Sequence, residues 1–247
     1  RAPATLEMTT PQPDPGDSGT SQPPSLSGSP AVRMGLSLAV ATGLYGISFG
    51  ALAVAAGLSV AQTAALSALM FTGGSQFAFI GVVGAGGSLP SAFGAATLLG
   101  VRNAVYGMQI ASMFRPGPGL IPVQAQLTID ESTAAAIAQD LPAEQRRGFW
   151  TAGIGVYVLW NLFTLAGALG GNALGDPTAW GLDGAAVAAF VGLLWPRLRH
   201  RDAWAVAVVA AVAALLAVPA TPAGVPIMIA AATAGVMAIT RRPAAPR

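Results

Sequence analysis

The sequence has no cysteine and no lysine, a single histidine, and few charges of either sign. The missing cysteines exclude a disulfide framework, a thiolate nucleophile and any Cys-based metal site. The one histidine, His200, sits among arginines in "RLRHR" (197–201), which leaves the serines and threonines without a histidine base. There is no Gly-Lys-Ser or Gly-Lys-Thr phosphate loop. The chain therefore reads as a non-enzyme, with no cofactor and no metal implied. Charged residues make up 9% of it, where a soluble domain carries about 25%. That is too little charge to cover a water-facing surface. All twelve basic residues are arginines, and they gather at the ends of apolar runs rather than along one face, so no nucleic-acid partner is expected.

What fills the chain instead is apolar: 53% hydrophobic, with uncharged runs at 34–101, 148–175, 184–196 and 203–240. A bilayer span needs about 20 apolar residues, so these runs hold about six to eight spans. The expected fold is an all-α polytopic membrane protein. It has seven apolar segments, at 34–57, 60–86, 88–114, 148–171, 180–196, 203–218 and 222–240. The run 203–218 is short and is expected to form a hairpin with 222–240. Residues 1–32, rich in Pro, Ser, Thr and Gly, are expected to be a disordered tail. Residues 33–242 then form the transmembrane domain, and 243–247 a short C-terminal tail. The segment 115–147 is the one substantial polar connection, within which 128–140 has the composition of an amphipathic or partly buried helix.

Arginine placement sets an expected orientation. The stretch 197–201, Arg241–Arg242, and Arg115 with Arg146–Arg147 should lie in the cytoplasm, as should the C-terminus. The loop "GNALGDPT" (171–178) has no basic residue and should face outside. The front half does not close so simply. Placing Arg33 inside requires one early segment to cross an even number of times. The best candidate is 60–86, broken near residues 72–76.

That break is the stretch "MFTGGSQF" (70–77), set within 68 residues that carry no charge. Adjacent glycines weaken a helix, and irregular backbone at membrane depth survives only where protein or a cavity satisfies it. Discontinuous helices of this kind form substrate sites in secondary transporters, and the freed N–H groups at a half-helix start attract an anionic group. Gly73, Gly74 and Ser75 would present backbone donors, and Gln76 a side-chain amide. Close helix packing through small residues is the alternative.

Arg102, in mid-segment, costs about 2.5–3.5 kcal/mol at the bilayer centre, so it should face the bundle interior and meet a carboxylate or carbonyls. Its spacing places Tyr106 and Gln109 on the same face, and Asn103 beside them. The acids that would pair with it are Asp183, Asp130 and Glu131. Trp160 and Asn161 read as packing and an interhelical hydrogen bond.

Taken in order, "GLYGISFGALAVAAGLS" (43–59), "FTGGSQFAFIG" (71–81), "VRNAVYG" (101–107), "LTIDESTAA" (127–135), "YVLWNLFTLAGALGG" (157–171) and "WGLDGAAVAAFVGLLWPRLR" (180–199) resemble the AzlC family. These are the large subunits of bacterial branched-chain amino acid exporters. The resemblance implies export of leucine, isoleucine, valine and methionine or analogues, driven by the proton gradient or the membrane potential. It implies a small hydrophobic AzlD-type partner subunit and a place in the bacterial cytoplasmic (inner) membrane. On this reading Gly73, Gly74, Ser75, Gln76, Arg102, Asn103 and Tyr106 bind substrate, with Phe71, Phe77 and Met108 around its side chain. Asp183, Asp130 and Glu131 serve ion coupling or structural pairing. A passive small-solute channel and a non-transporting membrane scaffold are the alternatives.

Overall fold

A computed structural model describes residues 28–174, 191, 194–195 and 198–240. Asp183, the second half of the loop 171–178 and nearly all of the N-terminal tail lie outside the described residues. Among the described residues there are nine α-helices and no strand. They are α1 (Pro30–Ala55), α2 (Val60–Leu69), α3 (Gly74–Gly84), α4 (Leu89–Met113), α5 (Ile121–Gln126), α6 (Asp130–Ile137), α7 (Pro142–Leu174), α8 (Arg201–Ala217) and α9 (Val225–Thr240). α1 starts where Ser29 accepts from the Val32 N–H at 3.3 Å and Pro30 supplies a preset helical φ. Its 26 residues reach about 39 Å, enough to cross a hydrocarbon core of about 30 Å. Pro30–Ala55, Pro142–Gly171 and Arg201–Ala220 are each long and apolar enough to span. The all-α membrane fold expected from composition is the fold observed.

α1 and α7 form the central pair, and they run parallel. Gly35 lies against Thr151 and Ala152, Gly43 against Leu159, Gly46 against Trp160, and Gly50 against Thr164 and Ala168. Both sets of numbers rise together, so both helices begin at the same end of the bundle, here the near end. There Ser29 donates a hydrogen bond to Glu144, and Glu144 pairs with Arg147 at 2.6 Å. Two parallel helices need an odd number of crossings between them.

The segment 60–86 resolves the count. A Ser59–Gln62 capping box opens α2. Its ten residues extend only about 15 Å, half a membrane. The chain then unwinds over Met70–Gly73 and turns back as α3, whose Gly84 lies against Ala56 at the end of α1. Both ends of this broken hairpin therefore sit at the far end, with the tip at mid-depth. The unwound residues are 70–73; Gly74, Ser75 and Gln76 already form the first turn of α3. α4 then crosses from the far end to the near end, where Phe114 meets Phe149 edge-on at 5.5 Å.

The polar connection does not stay outside the bundle. Gln124 donates to the Phe114 carbonyl at 3.4 Å near the end of α4, and Gln126 reaches the Ala68 carbonyl of α2 at 2.8 Å. α6 then retreats along α7, with Leu127 against Gly153 and Ala135 against Gly148. Ser132, Ala135 and Ala136 are fully buried. So α5–α6 is a second broken hairpin, entering from the near end, and its tip meets the first. The units α1–α2–α3 and α4–α5–α6 have the same element order and opposite directions. They correspond even at the breaks, where Thr72-Gly73-Gly74 matches Thr128-Ile129-Asp130. In each, the third helical residue ties its own hairpin: Gln76 to the Leu66 and Ser67 carbonyls, Ser132 to the Leu127 and Ile129 carbonyls. This is an inverted-topology repeat of the kind found in secondary transporters.

α8 and α9 form the expected hairpin through the turn 218–224. α9 starts beside the start of α4, where Gly224 lies against Val82 and Ser91. His200, at the start of α8, is therefore at the near end.

Candidate functional site

Where the two tips meet there is a cavity of about 290 Å³. It lies halfway along the helices that build it, since Thr42 is in the middle of α1 and Arg102 in the middle of α4. Its size falls at the small end of ligand pockets, about 300–1,000 Å³. The first hairpin contributes Phe71, Thr72, Gly73, Gly74 and Phe77 to its lining, and the second Ile129, Asp130 and Glu131. α1 adds Thr42 and Tyr45, α4 adds Arg102, and α7 adds Val156 and Trp160.

Arg102 joins the two tips. Its Nη2 donates to the Thr72 carbonyl at 3.1 Å and pairs with Asp130 at 2.8 Å. Tyr106, one turn on, donates to the other Asp130 oxygen at 2.7 Å, and Asn103 donates to the Thr128 carbonyl at 3.1 Å. These bonds satisfy backbone or charge that the two breaks expose. Glu131 accepts from the Thr42 hydroxyl at 3.2 Å. Both acids stand in the first turn of α6, where the helix dipole favours negative charge.

The start of α3 has no side-chain cap. Its cap residue, Gly73, has φ +57° and ψ −83°, a conformation strained for any residue with a Cβ. A Cβ there would meet nothing within 4 Å, so backbone conformation, not crowding, requires glycine at this position. The walls are aromatic. Tyr45 stacks on Phe77 at 5.0 Å, and Phe71 meets Tyr157 edge-on at 4.9 Å. Four buried polar atoms of lining residues lack a partner among the described residues: Tyr45 Oη, Thr72 Oγ1, Arg102 Nε and Trp160 Nε1. An unpaired buried polar group costs about 1–3 kcal/mol, so these atoms are ready for a ligand.

Of the residues singled out in the sequence, Gly73, Gly74, Arg102, Asp130 and Glu131 line the cavity. Ser75 and Gln76 do not. Ser75 is buried facing Gly100, and the Gln76 amide turns back onto α2. Asn103 and Tyr106 stand behind the cavity and hold the second tip. Phe71 and Phe77 are walls, whereas Met108 is 67% exposed, away from the site. Thr42, Tyr45 and Ile129 were not singled out, and Trp160 reads in sequence as packing. No sequence signal aims α1 at α6; the parallel packing of α1 on α7 does that.

Two opposed half-helix hairpins closing on a cavity at mid-depth define an all-α membrane protein, with discontinuous helices like those that form substrate sites in secondary transporters. The AzlC protein family matches residues 37–174, more than half of the chain, and the chain belongs to that transport-associated family. No curated protein and no solved structure matches it.

Proposed function

We propose that this protein is the permease subunit of an exporter of branched-chain amino acids, working with a small AzlD-type subunit in the bacterial cytoplasmic membrane. The proposed substrates are leucine, isoleucine and valine, with methionine or analogues, moved by the proton gradient or the membrane potential. The supporting observation is the composition of the cavity. It combines a helix start without a side-chain cap, a carboxylate with no ion pair among the described residues, and an aromatic and aliphatic wall. A zwitterion with an apolar side chain matches all three. The substrate carboxylate would sit at the start of α3, beside the two tip glycines. The ammonium would sit at Glu131, and the side chain against Phe71, Phe77, Val156 and Trp160.

Leucine counterflow in proteoliposomes tests this reading. Charge-assisted hydrogen bonds are worth about 1.5–3 kcal/mol, so leucine amide should compete at least about tenfold more weakly than leucine. Equal competition by the amide would remove the carboxylate from the start of α3. A complete absence of leucine flux would remove the transport reading itself.

The proposed orientation puts the near end in the cytoplasm. Single cysteines introduced at Gly57, Gly86 or Ala223 should react with an impermeant maleimide from outside. Cysteines at Asp140 or His200 should react only after the membrane is opened. Labelling of position 200 from outside would invert the orientation.

A further inference from the structure

We propose that the Glu131 carboxylate is one site shared by a proton and the substrate's ammonium group, so that loading the amino acid expels a proton. This rests on the amino-acid reading above and assigns its coupling to a single side chain.

The charges around the cavity do not balance without a further cation. Arg102 and Asp130 neutralise each other at 2.8 Å, and Tyr106 also donates to Asp130. Glu131 has the Thr42 hydroxyl at 3.2 Å, a neutral donor. The ionisable groups on the elements packed around α6 are few among the described residues. α1 offers Tyr45 near the site and Arg33 at its start. α4 offers Arg102 and Tyr106, and Arg115 follows its end. On α7 Tyr157 donates to the Ala68 carbonyl, and Glu144 and Arg147 pair at the near end beside Arg146. The first hairpin has no charged residue between 60 and 84. Arg102, the one cation among the described residues that line the cavity, is thus engaged by Asp130.

An uncompensated anion at membrane depth costs about 2.5–3.5 kcal/mol on insertion scales. A proton removes that cost when the cavity is empty, and an ammonium group removes it when the cavity is filled. The two exclude each other, because the ammonium needs the ionised carboxylate. On loading, the carboxyl O–H bond breaks, the proton passes to water, and the ammonium takes its place. The broken O–H bond is replaced by one to water, no electron is transferred, and no covalent bond forms between protein and substrate. A second observation points to a ligand here. Trp160, which lines the same cavity, is 2% exposed and its indole N–H has no partner.

The test is leucine binding to the purified full chain in lipid nanodiscs, followed by calorimetry and by a pH dye in weak buffer. The wild-type protein should release close to one proton per leucine at pH values where Glu131 is protonated. In that range its affinity should fall about tenfold per pH unit of acidification, the mass-action limit for one competing proton. Glu131→Gln should bind more weakly, release no proton and show no pH dependence. Glu131→Asp, which keeps the carboxylate, should retain proton release at reduced affinity and so separates loss of charge from loss of fold. Wild-type binding without proton release, or an unchanged pH dependence in Glu131→Gln, would overturn the shared site while leaving the amino-acid reading intact. No leucine binding by the wild-type protein would overturn both.

Discussion

Arg102→Ala is expected to abolish transport and to lower the melting temperature of the purified protein. The guanidinium holds both hairpin tips, through the Thr72 carbonyl on one side and Asp130 on the other. Its removal leaves Asp130 with Tyr106 but no counter-charge at the cavity. Removing one member of a buried ion pair costs about 3–5 kcal/mol. Arg102 and Asp130 are 22% and 15% exposed, so the effect should fall near or below the bottom of that range. Arg102→Lys should keep the charge and part of the stability, but lose the reach to two acceptors. The double variant Arg102→Ala/Asp130→Asn separates the roles. It should regain stability relative to Arg102→Ala, because no lone charge is left behind, and still fail to transport. Recovery of transport in the double variant would show that the pair only balances charge.

Gly50→Ala is expected to be among the most damaging glycine-to-alanine changes at the described residues. A Cβ at Gly50 would lie 2.0 Å from the Thr164 carbonyl oxygen and 2.7 Å from the Ala168 nitrogen. Both are backbone atoms of α7, so no rotamer change relieves the overlap and the two central helices must move apart. Overpacking a fitted core costs about 1–3 kcal/mol, and contact with backbone puts this case at or above the upper bound. The measure is the amount of folded protein recovered from membranes, with its melting temperature. Gly81→Ala, Gly107→Ala and Gly235→Ala are the controls, since a Cβ at each meets nothing within 4 Å. Alanine is the better helix former by about 1 kcal/mol, so these should match or exceed the parent in stability. Recovery of Gly50→Ala at control levels would mean that α1 and α7 are not packed as described.

Much of this was legible from residue type alone. The absence of charge over 34–101 announces the membrane, and Gly73–Gly74 with polar neighbours announces a break. An arginine in mid-segment must find an acid, and Asp130 was among the three candidates. The second hairpin was harder to see. Its residues 121–137 include Gln, Thr, Asp and Glu, and polar composition reads as a loop when hydropathy is the guide. These residues nevertheless reach mid-depth, because Gln126, Thr128 and Ser132 each find carbonyl partners there. Side-chain direction was likewise hidden. Ser75 and Gln76 follow Gly74 directly, yet helix geometry turns both away from the cavity that Gly73 and Gly74 line. Thr42 meets Glu131 across 89 positions of sequence, through a helix pairing that no local pattern encodes.

The meeting of the two tips at mid-depth also fixes how voltage acts on the protein. Each hairpin spans only half the bilayer, so the electric field across the membrane divides between two short barriers in series. One elementary charge crossing the whole membrane is worth about 2.3 kcal/mol per 100 mV, and one that reaches the cavity from either face has crossed about half of that. If one proton enters for each zwitterion that leaves, the cycle carries one net charge inward, and the membrane potential acts on its two halves almost equally. Export in that case would draw on the electrical part of the gradient even where the two sides have the same pH.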